Sequence, residues 1–157
     1  MKATVTLIVP CYNEEESLPF FYNAVCDVAR QLPDYRISLL LVNDGSKDGT
    51  LKVMRELAAR DERVQYLSFS RNFGKEAAMY AGFCNAKGDY VAVMDADMQD
   101  PPSLLPEMLE LLLPAISSIS FFLTVLSRVP SDVFSIENST SGVIFGRSSL
   151  ASLLSRR

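Results

Sequence analysis

Tyr90-Val91-Ala92-Val93-Met94 runs straight into Asp95-Ala96-Asp97, and Met98-Gln99-Asp100-Pro101-Pro102 follows at once. A short apolar run bounded by turn residues reads as a buried strand. Two carboxylates one residue apart at its carboxyl end make an anionic pocket suited to an oxygen-liganded divalent cation, and a metal-bound diphosphate fits such a pocket. An Asp-x-Asp equally opens a turn, with Pro101-Pro102 setting up the next helix. The remainder of the chain decides between the two.

Three segments of the same kind precede it, at residues 4–9, 37–42 and 64–69. Between them the apolar spacing turns helical. Ser17 is the expected N-cap of a helix ending near Gln31, and a second starts near Asp48-Gly49-Thr50 with Leu51, Met54, Leu57 and Ala58 inward. A third covers residues 75–86 with Met79 and Phe83 inward, and a fourth opens at Pro101-Pro102-Ser103 and continues through Leu112. Strand-helix alternation with near-continuous apolar strands predicts an α/β fold, with a mostly parallel sheet covered on both faces and right-handed crossovers. Ligands in such sheets lie outside the carboxyl ends of the strands. That rule puts residues 10–14, 43–46, 70–75 and 95–97 on one rim, each polar or acidic, while the opposite ends read as nondescript.

Composition narrows the chemistry. The chain has 157 residues, 48% of them hydrophobic and 22% charged, which is a one-domain length with ordinary globular content. Histidine is absent, which removes Ser-His-Asp and Cys-His nucleophilic sites and His metal ligands. Cys11, Cys26 and Cys84 form no C-x-x-C pair and read as small buried hydrophobes in a reducing compartment. A net charge of −4 without a basic run argues against nucleic acid as a partner. Residues 1–7 enter a strand directly and carry no secretion signal.

The strand ends suggest roles. Asp44, before Gly45-Ser46, can accept hydrogen bonds from a ribose hydroxyl or a base N–H; an Asp-Gly turn is the plainer alternative. No G-x-G-x-x-G follows the first strand and no G-x-x-x-x-G-K-[ST] occurs, so a nucleotide must be held otherwise. If Asp95 and Asp97 hold Mg2+ or Mn2+, with Gln99 as a neutral oxygen ligand, the cation can bridge the phosphates of a nucleoside diphosphate and offset charge as it departs. Arg71 and Lys75 add cations near the same rim, or are solvated charges at a helix start.

Val9-Pro10-Cys11-Tyr12-Asn13-Glu14-Glu15, Val42-Asn43-Asp44-Gly45-Ser46-Lys47-Asp48-Gly49-Thr50, Ser70-Arg71-Asn72-Phe73-Gly74-Lys75-Glu76 and Met94-Asp95-Ala96-Asp97-Met98-Gln99-Asp100-Pro101-Pro102 resemble, in order, the motifs of family 2 glycosyltransferases. The resemblance is to the polyprenyl-phosphate branch, which includes dolichyl-phosphate mannosyltransferases and undecaprenyl-phosphate (bactoprenol) glucosyltransferases, and it covers residues 3 to about 113. It implies a Rossmann-like nucleotide-diphospho-sugar transferase fold of the GT-A type. It also implies a donor of the UDP-glucose or GDP-mannose class, a divalent metal and inverting transfer to a lipid phosphate at the cytoplasmic face of a membrane. By position, Pro10, Tyr12, Glu14, Val42 and Asp44 would enclose the nucleoside, and Asp95 and Ala96 would lie against ribose and diphosphate. Asp97 with Gln99 would ligate the metal, and Arg71 and Lys75 match further donor-site positions. An oligomer is compatible with this reading.

Past Leu113 the character changes. Residues 114–157 hold twelve serines, four arginines, no lysine and two acids, a net of +2, against −6 for residues 1–113. The family's later strands, basic acceptor region and later acid are not visible, so the fold reads as carboxyl-terminally incomplete. Residues 1–113 read as a nucleotide-sugar-binding half, and 114–157 as a poorly ordered tail of another origin, such as a shifted reading frame. Its four strands can pair, with an unprotected edge and a reduced core. The uncharged stretch 111–127 is short for a membrane span, and Asn138-Ser139-Thr140 reads as a chance sequon. Sugar transfer and donor binding without turnover are therefore both expected readings, with a nucleotidyltransferase as a third.

Overall fold

The computed structural model describes residues 2–116 and 144–146. In chain order the elements are β1 (Ala3–Cys11), α1 (Ser17–Gln31), β2 (Tyr35–Asn43), α2 (Thr50–Arg60), β3 (Val64–Ser68), α3 (Lys75–Asn85), β4 (Tyr90–Val93), a 3-10 turn (Pro102–Leu104), α4 (Leu105–Ile116) and β5 (Ile144–Gly146). The sheet order is β3-β2-β1-β4-β5. Strands β1 to β4 are parallel, and β5 runs antiparallel along Tyr90, Val91 and Ala92. The edge that β4 would present in a four-stranded sheet is thus paired over those residues. The other expectations for the tail, over 117–127, the sequon and its order, fall on residues outside those described. Among the described residues no helix is long and apolar enough to cross a membrane.

Handedness explains the layering. From β1 to β2 to β3 the chain steps one way across the sheet, and from β3 to β4 it steps back past β1. Right-handed crossovers then put α1 and α2 on one face and α3 on the other. The cores agree: Val5, Leu7, Val9 and Cys11 of β1 pack with Leu18, Phe21, Met54, Leu57, Leu105 and Leu109, whereas Ile8, Leu40, Val42, Ala78 and Val91 form a smaller cluster under α3. Period-two alternation along β1 divides its side chains between the two.

Several local expectations shift. Glu16, not Ser17, takes the N-cap position of α1, because the Ser17 hydroxyl turns back to donate to the Glu14 carbonyl and carboxylate. On α3 the buried positions are Ala78 and Gly82, with Met79 and Phe83 only half-buried. A Cβ on Gly82 would lie 2.3 Å from Ile8 Cγ2, so this helix sits too close to β1 for larger inward residues. On α2, Met54 and Leu57 are buried as expected, and Leu51 and Ala58 are half-buried. The fourth helix begins with a tight turn because Pro106 has no N–H for the Pro102 carbonyl; the Leu105 N–H bonds that carbonyl instead.

Candidate functional site

The strand order reverses between β1 and β4, and such a switch point opens a crevice at the carboxyl ends of the two strands. Ile8 stands opposite Val93, and the Met94 N–H donates to the Ile8 carbonyl at 3.0 Å, so Asp95 leaves the sheet alongside the end of β1. On the other side Cys11 is opposite Asn43, and the Asp44 N–H donates to the Cys11 carbonyl at 2.9 Å. Pro10, Tyr12, Asp44 and Asp95 thus gather on one rim, as the sequence predicts.

The loops after β1 and β2 clasp each other through side-chain-to-backbone bonds. Asn13, at φ 59°, accepts the Lys47 N–H on Oδ1 at 2.8 Å while its own N–H donates to Ser46 Oγ at 3.0 Å. The Glu14 N–H donates to Thr50 Oγ1 at 2.7 Å, and the Glu15 N–H to Asp48 Oδ2 at 3.1 Å. Glu15 Oε2 returns an acceptor to the Gly49 N–H at 2.8 Å. Burial of Asp48 opposes its ionisation, but the Thr50 hydroxyl and amide and the Glu15 amide outweigh it and hold the carboxyl below its ordinary range. Asp48 also accepts the Thr50 N–H at the start of α2, where Gly49 takes the N-cap position.

Asp44 is 3% exposed, and each of its oxygens already takes a backbone donor: Phe73 N–H at 2.7 Å and Gly74 N–H at 2.9 Å. Beside it Gly45, at φ +64°, lets the Arg71–Asn72 backbone approach so closely that a Cβ would lie 2.2 Å from the Arg71 carbonyl carbon. The loop after β3 therefore rests on the end of β2. From this loop the Lys75 ammonium reaches Asp95 Oδ2 at 2.7 Å. The Arg71 guanidinium lies 4.7 Å over the Phe73 ring, which meets Phe69 edge-on at 5.5 Å.

The other predicted residues divide by exposure. Tyr12 is exposed and Pro10 half-buried, whereas the Val42 and Ala96 side chains are inside the core. Glu14 is half-buried against Ser17. Asp97 and Gln99 are exposed, and Asp97 Oδ1 accepts the Gln99 N–H at 3.0 Å. Among the described residues no three acidic, His or Cys side chains converge into a cation cage. Two carboxylates from one strand end nevertheless fit Mg2+ or Mn2+, which commonly takes one or two protein carboxylates and draws its other oxygens from phosphates and water. Of the three cysteines expected to be buried, Cys11 is, whereas Cys26 is half-buried and Cys84 exposed; burial, with Glu14, Asp95 and Asp48 nearby, pushes the Cys11 thiol far up, which disfavours the nucleophilic thiolate.

Two features escaped the sequence reading. Asn13 and Ser46 carry the clasp, and the Asn that follows Tyr12 gives only a weak turn signal. The amino-terminal side of the sheet is not nondescript: Tyr22 of α1 donates to Asp61 Oδ2 at 2.9 Å, and Arg63 forks the same carboxylate at 2.6–3.1 Å.

The description of glycosyl transferase family 2 matches residues 6–116. Over 106 residues the chain is 44% identical to the bactoprenol glucosyl transferase of Shigella phage SfV, an overlap that is 68% of this chain and 34% of that protein. Over 107 residues it is 38% identical to the undecaprenyl-phosphate 4-deoxy-4-formamido-L-arabinose transferase of Pseudomonas fluorescens (strain SBW25), covering 68% of this chain and 31% of the relative. The chain thus spans about a third of the length of the curated relatives it matches. A mannosyltransferase of Pyrobaculum calidifontis, solved in complex with GDP-Man and Mn2+, superposes with a TM-score of 0.54 at 24% identity, covering 62% of this chain and 28% of that one. At that identity the likeness concerns the fold, which is of the GT-A type.

Proposed function

The chain belongs to glycosyl transferase family 2, and we propose that its rim binds a nucleotide-diphospho-sugar with a divalent cation and serves transfer of the sugar, with inversion, to a polyprenyl phosphate. The observation that carries this reading is the end of β4, where Asp95 pairs with Lys75 at the switch point and Asp97 follows, exposed, two residues on. Two acids and a cation at a crevice suit a metal-bound diphosphate better than a neutral ligand. The names of the relatives, a bactoprenol and an undecaprenyl-phosphate transferase, support the lipid acceptor and a working place at a membrane face.

The residues divide the work by their geometry. Pro10 and the exposed Tyr12 ring border the crevice from β1, where they would flank the nucleoside. Asp95, Asp97 and Gln99 would hold Mg2+ or Mn2+, which when bound supplies charge compensation to the departing diphosphate. Lys75 adds a second positive charge from the α3 side, and Arg71 is within the same loop. A lipid phosphate has a second pKa of about 6 and is an anionic nucleophile at neutral pH, so it needs no strong protein base. That suits a rim whose candidate side chains offer carboxylates and cations but no histidine.

Calorimetry with UDP-glucose and with GDP-mannose, each with and without Mn2+, tests the donor half. Metal-dependent binding of one of them is expected, and a folded sample that binds neither refutes the reading. A transfer assay with undecaprenyl phosphate tests the acceptor half. The second reading, donor binding without turnover by the residues described, is favoured by the one-third share of the relatives' length that this chain covers. Binding without transfer would select it. Release of pyrophosphate would point to nucleotidyl transfer instead.

A further inference from the structure

We infer that Asn13 is a positioning residue for the nucleoside: it locks the loop after β1 onto the loop after β2 and thereby holds the Tyr12 ring at the crevice. This deepens the donor-site reading above and rests on it. Tyr12 is 41% exposed, so its placement depends on the backbone at either side more than on burial. On one side Cys11 is 2% exposed and stands opposite Asn43 in the sheet. On the other is Asn13, exposed and at φ 59°. Asparagine is among the few residues besides glycine that enter the left-handed region readily, and here it forms the bend with which the chain leaves β1.

Two hydrogen bonds hold that bend. Asn13 Oδ1 accepts the Lys47 N–H at 2.8 Å, and the Asn13 N–H donates to Ser46 Oγ at 3.0 Å. One residue thus grips two consecutive residues of the next strand's loop. The loop it grips is itself braced. The Ser46 N–H donates to Asn43 Oδ1 at 3.0 Å, and Asn43 Nδ2 donates to Ser68 Oγ at 2.9 Å, with Asn43 only 2% exposed. A buried amide bonded at both ends keeps one orientation. The line of bonds therefore runs from the end of β3, through the end of β2, to Asn13, and it stops beside Tyr12. A ring already held where it is needed loses less freedom on binding, so Asn13 contributes to affinity through Tyr12.

Titration calorimetry of the full chain with UDP plus Mn2+, repeated with GDP if UDP is silent, tests this in wild type, N13G, Y12A and the double variant. Glycine keeps the positive φ and removes only the side-chain oxygen and its bond. N13G is expected to weaken binding about fivefold, Y12A about tenfold, and the double variant little more than Y12A alone. Unchanged affinity in N13G, or losses that multiply in the double variant, would overturn the inference. NMR without ligand separates it from the donor reading. In N13G the Lys47 amide signal should move upfield, and the backbone order parameter of Tyr12 should fall while that of Asn43 stays as in wild type. A Tyr12 order parameter unaltered by N13G overturns the inference whether or not a nucleotide binds. If no nucleotide binds to folded wild type, the donor reading falls, while the Tyr12 order parameter still judges the part played by Asn13. Should N13G fail to fold, S46A, which removes the acceptor of the Asn13 N–H, takes its place. A Tyr12 order parameter equal to wild type in S46A overturns the inference, and a fall upholds it.

Discussion

The rim and the amino-terminal side of the sheet are both built around carboxylates, yet they use them in opposite ways. On the amino-terminal side, Asp61 is bound mainly by other side chains, and the Arg63 guanidinium holds its carboxyl down at about 2, with the Arg63 N–H and the Tyr22 hydroxyl assisting. Burial, with Cys26 and Asp61 as neighbours, pushes the Tyr22 hydroxyl up to about 12. The cluster ties α1 to the α2–β3 connection. On the rim, Asp44, Asp48, Asp97, Asn13 and Glu15 instead accept backbone N–H groups and give the loops their shape. The strongly perturbed acid is thus at a structural junction and not at the candidate site, where the chemistry lies in exposed groups on shaped loops. Perturbation by itself marks strong pairing, whatever the pairing is for.

The largest effect is expected at Gly45. Gly45→Ala meets both a positive φ and the Arg71 backbone, and should cost about 3 kcal/mol or more in urea unfolding. A loss under about 1 kcal/mol would show that the rim loop does not rest on β2. Next, Arg63→Met leaves the half-buried Asp61 with only the Tyr22 hydroxyl and the residue 63 N–H, and a loss of about 1–2 kcal/mol is expected with donor affinity unchanged.

Asp97→Asn should do the reverse, weakening Mn2+-dependent UDP binding about tenfold while the unfolding free energy stays within about 0.5 kcal/mol of wild type. The pH profile sharpens the contrast. Because the folded Asp61 carboxyl is depressed, its contribution is present above about pH 4, the ordinary carboxylate value, and is lost as pH falls toward 2. The raised Tyr22 group works the other way, its contribution fading as pH climbs from 10 through about 12. In Arg63→Met the acid limb of the unfolding curve should flatten. Arg36→Ala removes an exposed pair with Glu62 and should change stability by less than about 0.5 kcal/mol, the smallest effect of the set.

Much of this was legible in the chain because it depends on local periodicity. Residues 90–94 read as a strand, and β4 spans Tyr90–Val93; the helix ending at Gln31 and the start near Thr50 also stand where capping and spacing put them. Where local rules failed, a partner distant in sequence had intervened. Ile8 approaches α3 so closely that Gly82 and Ala78 face the sheet ahead of Met79 and Phe83, and Arg63 with Tyr22 turned an unremarkable Asp61 into a junction.

That four apolar strands end in polar residues, that Asp95 and Asp97 close one of them, and that no histidine is present follow from composition and period, which are properties of the chain alone. Folding returns β4 to the side of β1, and this creates the switch point that brings Asp95 to the rim opposite Asp44. It also decided that Asp44 faces the amides of Phe73 and Gly74, some thirty residues on. A carboxylate's partner is set by which loop packs over it in space, and no spacing rule in the sequence carries that information.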